Sequence, residues 1–177
     1  MKEFHEISPY DMSGNLISAI GKDWMLVSAA SPEGDVFGKD YNTMTASWGG
    51  VGVLWGKPVA FVFVRPERHT FHFTEKEELL SLSFFSEDYK DALAFCGRTS
   101  GRDTDKAAEC SLTPVFAPKG EGRHVYFDEA TRVLLCRKLY AADIEKDAFV
   151  DASCLESYGN GGFHKMYVCE IEKVLEQ

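Results

Sequence analysis

The sequence predicts a single domain, residues 1–177, built mainly from antiparallel β-strands with two or three short helices. Its 177 residues are enough for one domain with a sizeable core. Thirteen Phe, seven Tyr and three Trp favour strands and flat binding surfaces. About six strand-like segments occur without the alternation of strand and helix that builds a parallel sheet. These observations favour a barrel or a sandwich over a doubly wound sheet.

Segments rich in apolar and β-branched residues mark the strands. Residues 59–64 are apolar throughout and are predicted to form a central strand, buried on both faces, that stops before Pro66. Residues 123–127 and 132–139 look like a hairpin around a turn at 128–131. Further strands are predicted at 24–30, 42–55, 79–85 and 164–174.

Capping residues and apolar stripes mark the helices. A short helix is expected at 69–78, and a second begins after Ser86, which is a good N-cap. Gly97 suits the position just after that second helix. Residues 31–35 have the composition of a turn, and 98–123 and 151–162 have that of irregular loops.

The composition excludes several classes of function. A formal net charge of −9 argues against nucleic acid or an anionic membrane as the main partner. No apolar run approaches the length of a membrane span, and no export signal is expected in the first residues. Five scattered cysteines without a Cys-x-x-Cys pair fit reduced thiols in the cytoplasm. His69 and His72 could share a helix face, but no third metal ligand is near them in sequence, so no metal site is predicted.

The stretch at 42–50 is unusually rich in hydroxyls. Thr43, Thr45 and Ser47 recur at period 2 and would share one face of a strand, ahead of two consecutive glycines. Bare amides and small side chains suit a polar, planar ligand. A solvent-facing edge strand followed by a tight turn explains the same pattern equally well.

Positive charge is concentrated at two places in this acidic chain. Arg65 and Arg68 flank the turn after the most apolar strand, and Thr70 follows. Arg68 and Thr70 could grip a phosphate, or Arg68 could form a surface ion pair with Glu67 or Glu75. The loop at 98–106 is also cationic and hydroxylated, although an ordinary solvated loop has this composition too.

Motifs for other chemistries are missing. The sequence contains no glycine-rich dinucleotide fingerprint, no phosphate-binding Gly-Lys-Ser/Thr loop and no Gly-x-Ser-x-Gly elbow. The cysteines at 96, 136 and 169 lie within apolar helix or strand patterns, so they are interpreted as buried and inert.

The chain contains five motifs in this order: Asn42-Thr43-Met44-Thr45-Ala46-Ser47-Trp48-Gly49, Arg65-Pro66-x-Arg68-x-Thr70, Ser83-Phe84, Cys96-Gly97-x-x-Ser100-Gly101-x-x-x-x-Lys106, and His164 with Glu170. With these motifs, residues 24–175 resemble the flavin reductase family, and more closely its flavoredoxin-like branch. Reductase members that supply free reduced flavin end in Gly-Asp-His, whereas this chain has Gly162-Phe163-His164.

The resemblance implies a split β-barrel that binds FMN non-covalently at a homodimer interface. It implies that Met44, Thr45, Ala46 and Ser47 line the flavin ring, and that Trp48 stacks on it or blocks part of the nicotinamide site. Arg68 and Thr70 would hold the phosphate, and Ser83 and Phe84 would border the ring or the ribityl chain. Ser100, Gly101 and Lys106 would close the phosphate or ribityl side, and His164 would lie near the nicotinamide as the catalytic residue.

The implied activity is transfer of hydride from NADH or NADPH to FMN, and onward to free flavin or another acceptor. A second hypothesis is an FMN-binding electron carrier that receives electrons from a redox protein partner, for which an acidic surface suits docking to a basic protein. A third is a binding or structural module without flavin.

Overall fold

A computed structural model describes residues 3–31, 40–119, 122–159 and 161–177. The turn predicted at 31–35 therefore lies outside the described residues, apart from Ser31. The strands are β1 (His5–Ile7), β2 (Met25–Ala30), β3 (Tyr41–Ala46), β4 (Gly49–Leu54), β5 (Lys57–Val64), β6 (Leu79–Phe84), β7 (Pro114–Lys119), β8 (Gly122–Phe127), β9 (Arg132–Asp143) and β10 (Lys165–Glu176). The α-helices are α1 (Leu16–Ser18), α2 (His69–Lys76), α3 (Lys90–Arg98) and α4 (Lys106–Glu109). Short 3-10 helices occur at Pro9–Asp11, Glu87–Tyr89, Lys146–Ala148 and Ala152–Tyr158, and a π-helical turn at Ala19–Asp23.

Among the described residues, eight strands form one antiparallel sheet and two form a separate hairpin. The order across the large sheet is β3-β2-β6-β9-β10-β5-β4, with β1 paired to β10. The hairpin joins β7 to β8. The fold is thus mainly antiparallel β with short helices, as predicted.

The main core is built mainly from side chains of the large sheet. Val62, Val64, Leu82 and Tyr167 are almost fully buried within one apolar cluster. Each such side chain contributes about 1.5–3 kcal/mol by leaving water. A second cluster beneath α3 is built around Leu26, Leu93, Cys96 and Phe127, so α3 is fixed against the β3 end of the sheet.

Most local predictions are confirmed, with small shifts at the ends. The helix predicted at 69–78 is α2, and the strands predicted at 24–30, 79–85 and 164–174 are β2, β6 and β10. The strand predicted at 42–55 is two strands, β3 and β4, separated at Ser47 and Trp48. Burial on both faces of residues 59–64 holds only in part, because Phe61 and Phe63 are partly exposed.

Three predictions about the second half were wrong. The segments 123–127 and 132–139 do not pair as a hairpin, because β8 bonds to β7 while β9 bonds to β6 and β10. The segment 98–123 is not simply a loop, since it contains α4, β7 and the start of β8. Gly97 also lies inside the last turn of α3, which runs to Arg98.

Candidate functional site

A cleft of about 230 Å³ opens at the carboxyl end of β3. Residues from the β3–β4 link, from the end of β5 with the turn that follows, and from the segment before β10 surround it. Its lining residues are Met44, Thr45, Ala46, Ser47, Trp48, Phe63, Arg65, Arg68 and His164. Seven of these belong to the site predicted from the sequence.

The hydroxyls of β3 point to partners inside the protein. Ser28 donates through Oγ to Oγ1 of Thr43 at 2.8 Å, and Oγ1 of Thr45 donates to the carbonyl oxygen of Leu93 on α3 at 2.5 Å. Satisfied hydroxyls can be buried at little cost. β3 is therefore an edge strand, but it is covered by α3 rather than facing solvent. Of the two interpretations of 42–50, the solvent-facing strand is wrong.

The link from β3 to β4 shapes one wall of the cleft. Gly49 has φ +151°, and a Cβ there would lie 2.8 Å from the carbonyl oxygen of Phe61, so only glycine fits without displacement. The preceding Trp48 is 44% exposed. Its ring centroid lies 5.1 Å from that of His164, so an indole ring and an imidazole stand side by side at the mouth.

Arg68 is the most distinctive cation of the cleft. Its Nη1 donates to the carbonyl oxygen of Gly97 at 2.7 Å, whereas its Nη2 is buried and has no hydrogen-bond partner in the described part of the chain. Burial also lowers the pKa of the Arg68 guanidinium. A half-buried cation with a buried, unused donor nitrogen has what an anionic ligand needs.

The two glutamates considered as ion-pair partners of Arg68 pair with other residues instead. Glu67 lies 3.6 Å from Arg65, and Glu75 pairs with Lys165 at 2.7 Å and accepts from the Tyr167 hydroxyl at 2.6 Å. The surface ion-pair interpretation of Arg68 is therefore wrong in this structure.

His164 is held in the cleft as a neutral imidazole. It is only 8% exposed, and its Nδ1 lies 3.0 Å from the hydroxyl of Tyr158. Burial, reinforced by the nearby Arg65 cation and opposed by Glu67, lowers the pKa of His164 to about 4. At neutral pH the ring can donate or accept a hydrogen bond but carries no charge.

Phe63 and Tyr158 were missed by the sequence reasoning. Phe63 and the partly exposed Phe61 are two residues apart on β5, so they lie on the same face of the strand. This spacing can be read from the sequence. Tyr158 belongs to a 3-10 helix in a stretch without hydrophobic periodicity, so no local sequence pattern indicated that it lies near the cleft. Arg65 lies 5.4 Å from the Tyr158 ring and donates to the carbonyl oxygen of Ser157 at 2.7 Å, which binds that stretch to the cleft.

Three predicted site residues lie in the interior rather than in the cleft. Thr70 is buried and accepts through Oγ1 from Nδ2 of Asn42 at 2.9 Å. Ser83 and Phe84 are also buried, because β6 is covered on both faces. Ser81 of the same strand donates to the carbonyl oxygen of Val125 on β8, which shows what covers the second face.

Residues of the 98–106 loop lie near the other end of β3. Lys106 is buried, and its Nζ donates to the carbonyl oxygens of Thr43 and Cys96, both at 2.9 Å. Gly101 packs so closely on Asn42 that a Cβ would lie 1.9 Å from its Oδ1. Ser100 is exposed and accepts from the Arg102 amide at 3.2 Å. This loop therefore fixes β3 from behind, beside a second cavity of about 200 Å³ lined by Thr43 and Lys106.

The three buried cysteines and the possible metal ligands form no competing site in the part described. Cys96, Cys136 and Cys169 are buried, and burial raises the pKa of the Cys96 and Cys169 thiols to about 12. Such thiols make weak nucleophiles. Within 3–31, 40–119, 122–159 and 161–177, no group of three or more His, Cys, Asp or Glu residues could hold a metal ion. None of the helices described is both long and apolar enough to cross a membrane.

Comparison with known proteins identifies one family. A family profile described as "Flavin reductase like domain" matches residues 17–177. No match was found among curated proteins. Solved structures share the fold at low sequence identity.

Three of these structures illustrate the range. Flavoredoxin of Desulfovibrio vulgaris (Miyazaki F) is 21% identical with a TM-score of 0.64. The match covers 87% of this chain and 69% of the flavoredoxin chain. An FMN-binding protein from Thermus thermophilus, with bound 1-cyclohex-2-enone, is 20% identical with a TM-score of 0.61 (96% and 80% covered). The styrene monooxygenase flavin reductase from Pseudomonas putida S12 is 14% identical with a TM-score of 0.59 (92% and 83% covered).

Proposed function

Since the chain belongs to the family of flavin reductase-like domains, we propose that it is an FMN-binding oxidoreductase whose cofactor lies in the cleft at the end of β3. The observation that carries this proposal is the unused, buried Nη2 of Arg68. An unpaired buried donor costs about 1–3 kcal/mol, and an FMN phosphate would satisfy it. An equilibrium titration of the purified protein with FMN, followed by flavin fluorescence, tests binding directly.

The residues of the cleft fit the parts of FMN. Met44, Thr45, Ala46 and Ser47 offer small side chains and backbone groups along one wall, which suits the edge of a flat ring. Arg68 offers a charged donor for the phosphate. FMN supplies the redox chemistry when bound, accepting hydride and passing electrons on, so the protein needs no acid–base pair of its own.

The side of the cleft that carries Trp48 and His164 suits a second, planar substrate. Trp48 and Phe63 present aromatic surface, Arg65 presents positive charge, and His164 presents a neutral ring nitrogen. These groups would suit a nicotinamide, which is planar and carries a carboxamide. We therefore propose NADH or NADPH as the electron donor and free flavin or another small acceptor as the recipient. Steady-state oxidation of each nucleotide with added FMN tests this.

A flavoredoxin-like electron carrier is the second candidate. The net charge of −9 favours docking to a basic redox protein. The position of Trp48 beside His164 narrows the mouth of the cleft, which would disfavour a bulky nucleotide. A protein purified yellow that oxidises neither nucleotide, but accepts electrons from a reduced redox protein, supports this candidate over the first.

We also propose that the functional form is a homodimer. A cleft of about 230 Å³ falls below the usual 300–1,000 Å³ of small-molecule sites, so a second chain would complete it. β4 is an outer strand of the sheet, and Trp55 beyond it is 58% exposed and packs on the half-exposed Tyr140 at 6.2 Å. Exposed apolar surface at a sheet edge favours association with another copy.

A further inference from the structure

The hydrogen bond between Tyr158 and His164 joins two buried side chains at the edge of the cleft. The phenol oxygen lies 3.0 Å from Nδ1, and each residue is 8% exposed. Tyr158 ends the 3-10 helix Ala152–Tyr158, and His164 immediately precedes β10. Because a neutral imidazole carries one proton, the direction of this bond determines which ring nitrogen is protonated.

The hydrogen-bond inventory favours the phenol as the donor. The Tyr158 hydroxyl makes no other hydrogen bond within the described ranges. If Nδ1–H were the donor, the phenol proton would have no protein acceptor there. If the phenol donates, its proton is satisfied and Nε2 carries the ring proton. Nε2 has no protein partner among the described residues, and His164 lines the cleft.

We propose that Tyr158 is a positioning residue that fixes His164 as the Nε2–H tautomer, so that the cleft presents a neutral N–H donor to its substrate. A neutral donor suits a carbonyl oxygen, such as the carboxamide oxygen of a nicotinamide or the carbonyl of a small acceptor. The identity of the substrate rests on the function proposed above, whereas the tautomer does not.

The ring of Tyr158 is held in place without help from its hydroxyl. It stacks on Phe163 at 4.6 Å with an interplanar angle of 23°, and the Arg65 guanidinium lies over it. Tyr158→Phe therefore removes the hydroxyl while keeping the packing. The charged groups near His164 are Arg65 and Glu67, in the turn after β5, and neither is altered by that substitution.

Nitrogen NMR of the apoprotein labelled with ¹⁵N-histidine tests the tautomer directly. The unsubstituted protein should show His164 as the Nε2–H form at neutral pH. Tyr158→Phe should give a mixture of tautomers and a higher His164 pKa, since the lost donor favoured the neutral ring. Tyr167→Phe is the matched control, because it removes a buried hydroxyl bonded to Glu75 and should leave His164 unchanged. An Nδ1–H form, or no response to Tyr158→Phe, would overturn the proposal.

Kinetics of the FMN-loaded protein give a second measurement. Tyr158→Phe should lower kcat/KM for the nucleotide about 5- to 10-fold, and adding it to His164→Gln should cost nothing further, since both act through one group. Losses that multiply would overturn the proposal. Absence of turnover in every variant would contradict the nucleotide activity alone, and the NMR result would still decide the role of Tyr158.

Discussion

Arg68 donates through Nη1 to the carbonyl oxygen of Gly97, which fixes its guanidinium beside the last turn of α3. The contact leaves Nη2 buried with no protein partner in the described ranges. A guanidinium that is oriented by one bond and unsatisfied at the other nitrogen is preorganised for an anion. This relationship ties the cationic turn after β5 to α3, to which β3 is also bonded through Thr45 and the carbonyl oxygen of Leu93.

Arg68→Ala should weaken FMN binding about 10- to 100-fold, because a charge-assisted hydrogen bond contributes about 1.5–3 kcal/mol. Riboflavin lacks the phosphate, so its affinity should change little. Fluorescence titrations with both flavins measure the difference. Arg137→Ala is the control, because that arginine pairs with Glu170 and Glu172 on β10 and lies outside the cleft. Equal losses for FMN and riboflavin would place the phosphate elsewhere.

Gly101→Ala and Gly97→Ala should have opposite effects on stability. A Cβ at Gly101 would collide with Asn42 Oδ1 at 1.9 Å and disturb its bond to Thr70, so we expect a loss of about 1–3 kcal/mol. A Cβ at Gly97 would meet Thr45 at 3.4 Å, an ordinary contact, and alanine in a helix gains up to about 1 kcal/mol. Urea unfolding measures both variants. Equal stability of the two would contradict the packing of the 98–106 loop on β3.

The buried His164 should make stability fall in mild acid. Its pKa is lowered to about 4 in the folded protein, against about 6.5 when unfolded. Between these values only the unfolded chain binds the extra proton, so stability is fully present above pH 6.5 and declines toward pH 4. Burial also lowers the pKa of His124, which contributes with the same sign.

Comparison of the unsubstituted protein with His164→Gln isolates the contribution of His164 to this pH dependence, because His124 is present in both proteins. The free energy of unfolding of the variant should decline less between about pH 7 and pH 4.5. Parallel curves for the two proteins would show that His164 is not buried as a neutral group.

Trp55→Glu should disrupt the proposed homodimer and weaken FMN binding together, since a charge would be placed on the apolar surface beside β4. Sedimentation at several concentrations, with and without FMN, measures both effects. Tyr10→Glu is the control, because Tyr10 is also an exposed aromatic residue (67%) but belongs to the N-terminal 3-10 helix Pro9–Asp11. A clean monomer of the unsubstituted protein that retains its flavin would contradict the dimer.

Local patterns were sufficient to predict most of the strands, the hydroxyl-rich wall of the cleft and its cationic turn. Period-2 alternation and β-branched residues marked β5 and β6, and the hydroxyl-rich stretch marked β3. Arginine after a buried strand marked the cationic turn. These signals are carried by residues close together in sequence, where the chain's own geometry determines the outcome.

The missed features depend on contacts between distant segments. The sequence did not predict that β8 pairs with β7. A strand followed by a turn can pair either with the segment that precedes it or with the one that follows, and local signals do not decide between them. The family resemblance implied that Ser83 borders the flavin, but β8 covers that face of β6. Tyr158 reaches His164 only because Arg65 and Phe163 hold an irregular segment against the cleft.

Equilibrium titration of the apoprotein with FMN tests the central claim most directly. The structure-based expectation is saturable quenching of flavin fluorescence, with one FMN per chain and an affinity that depends on Arg68. Absence of quenching in a folded protein would contradict the assignment of the β3 cleft as a flavin site.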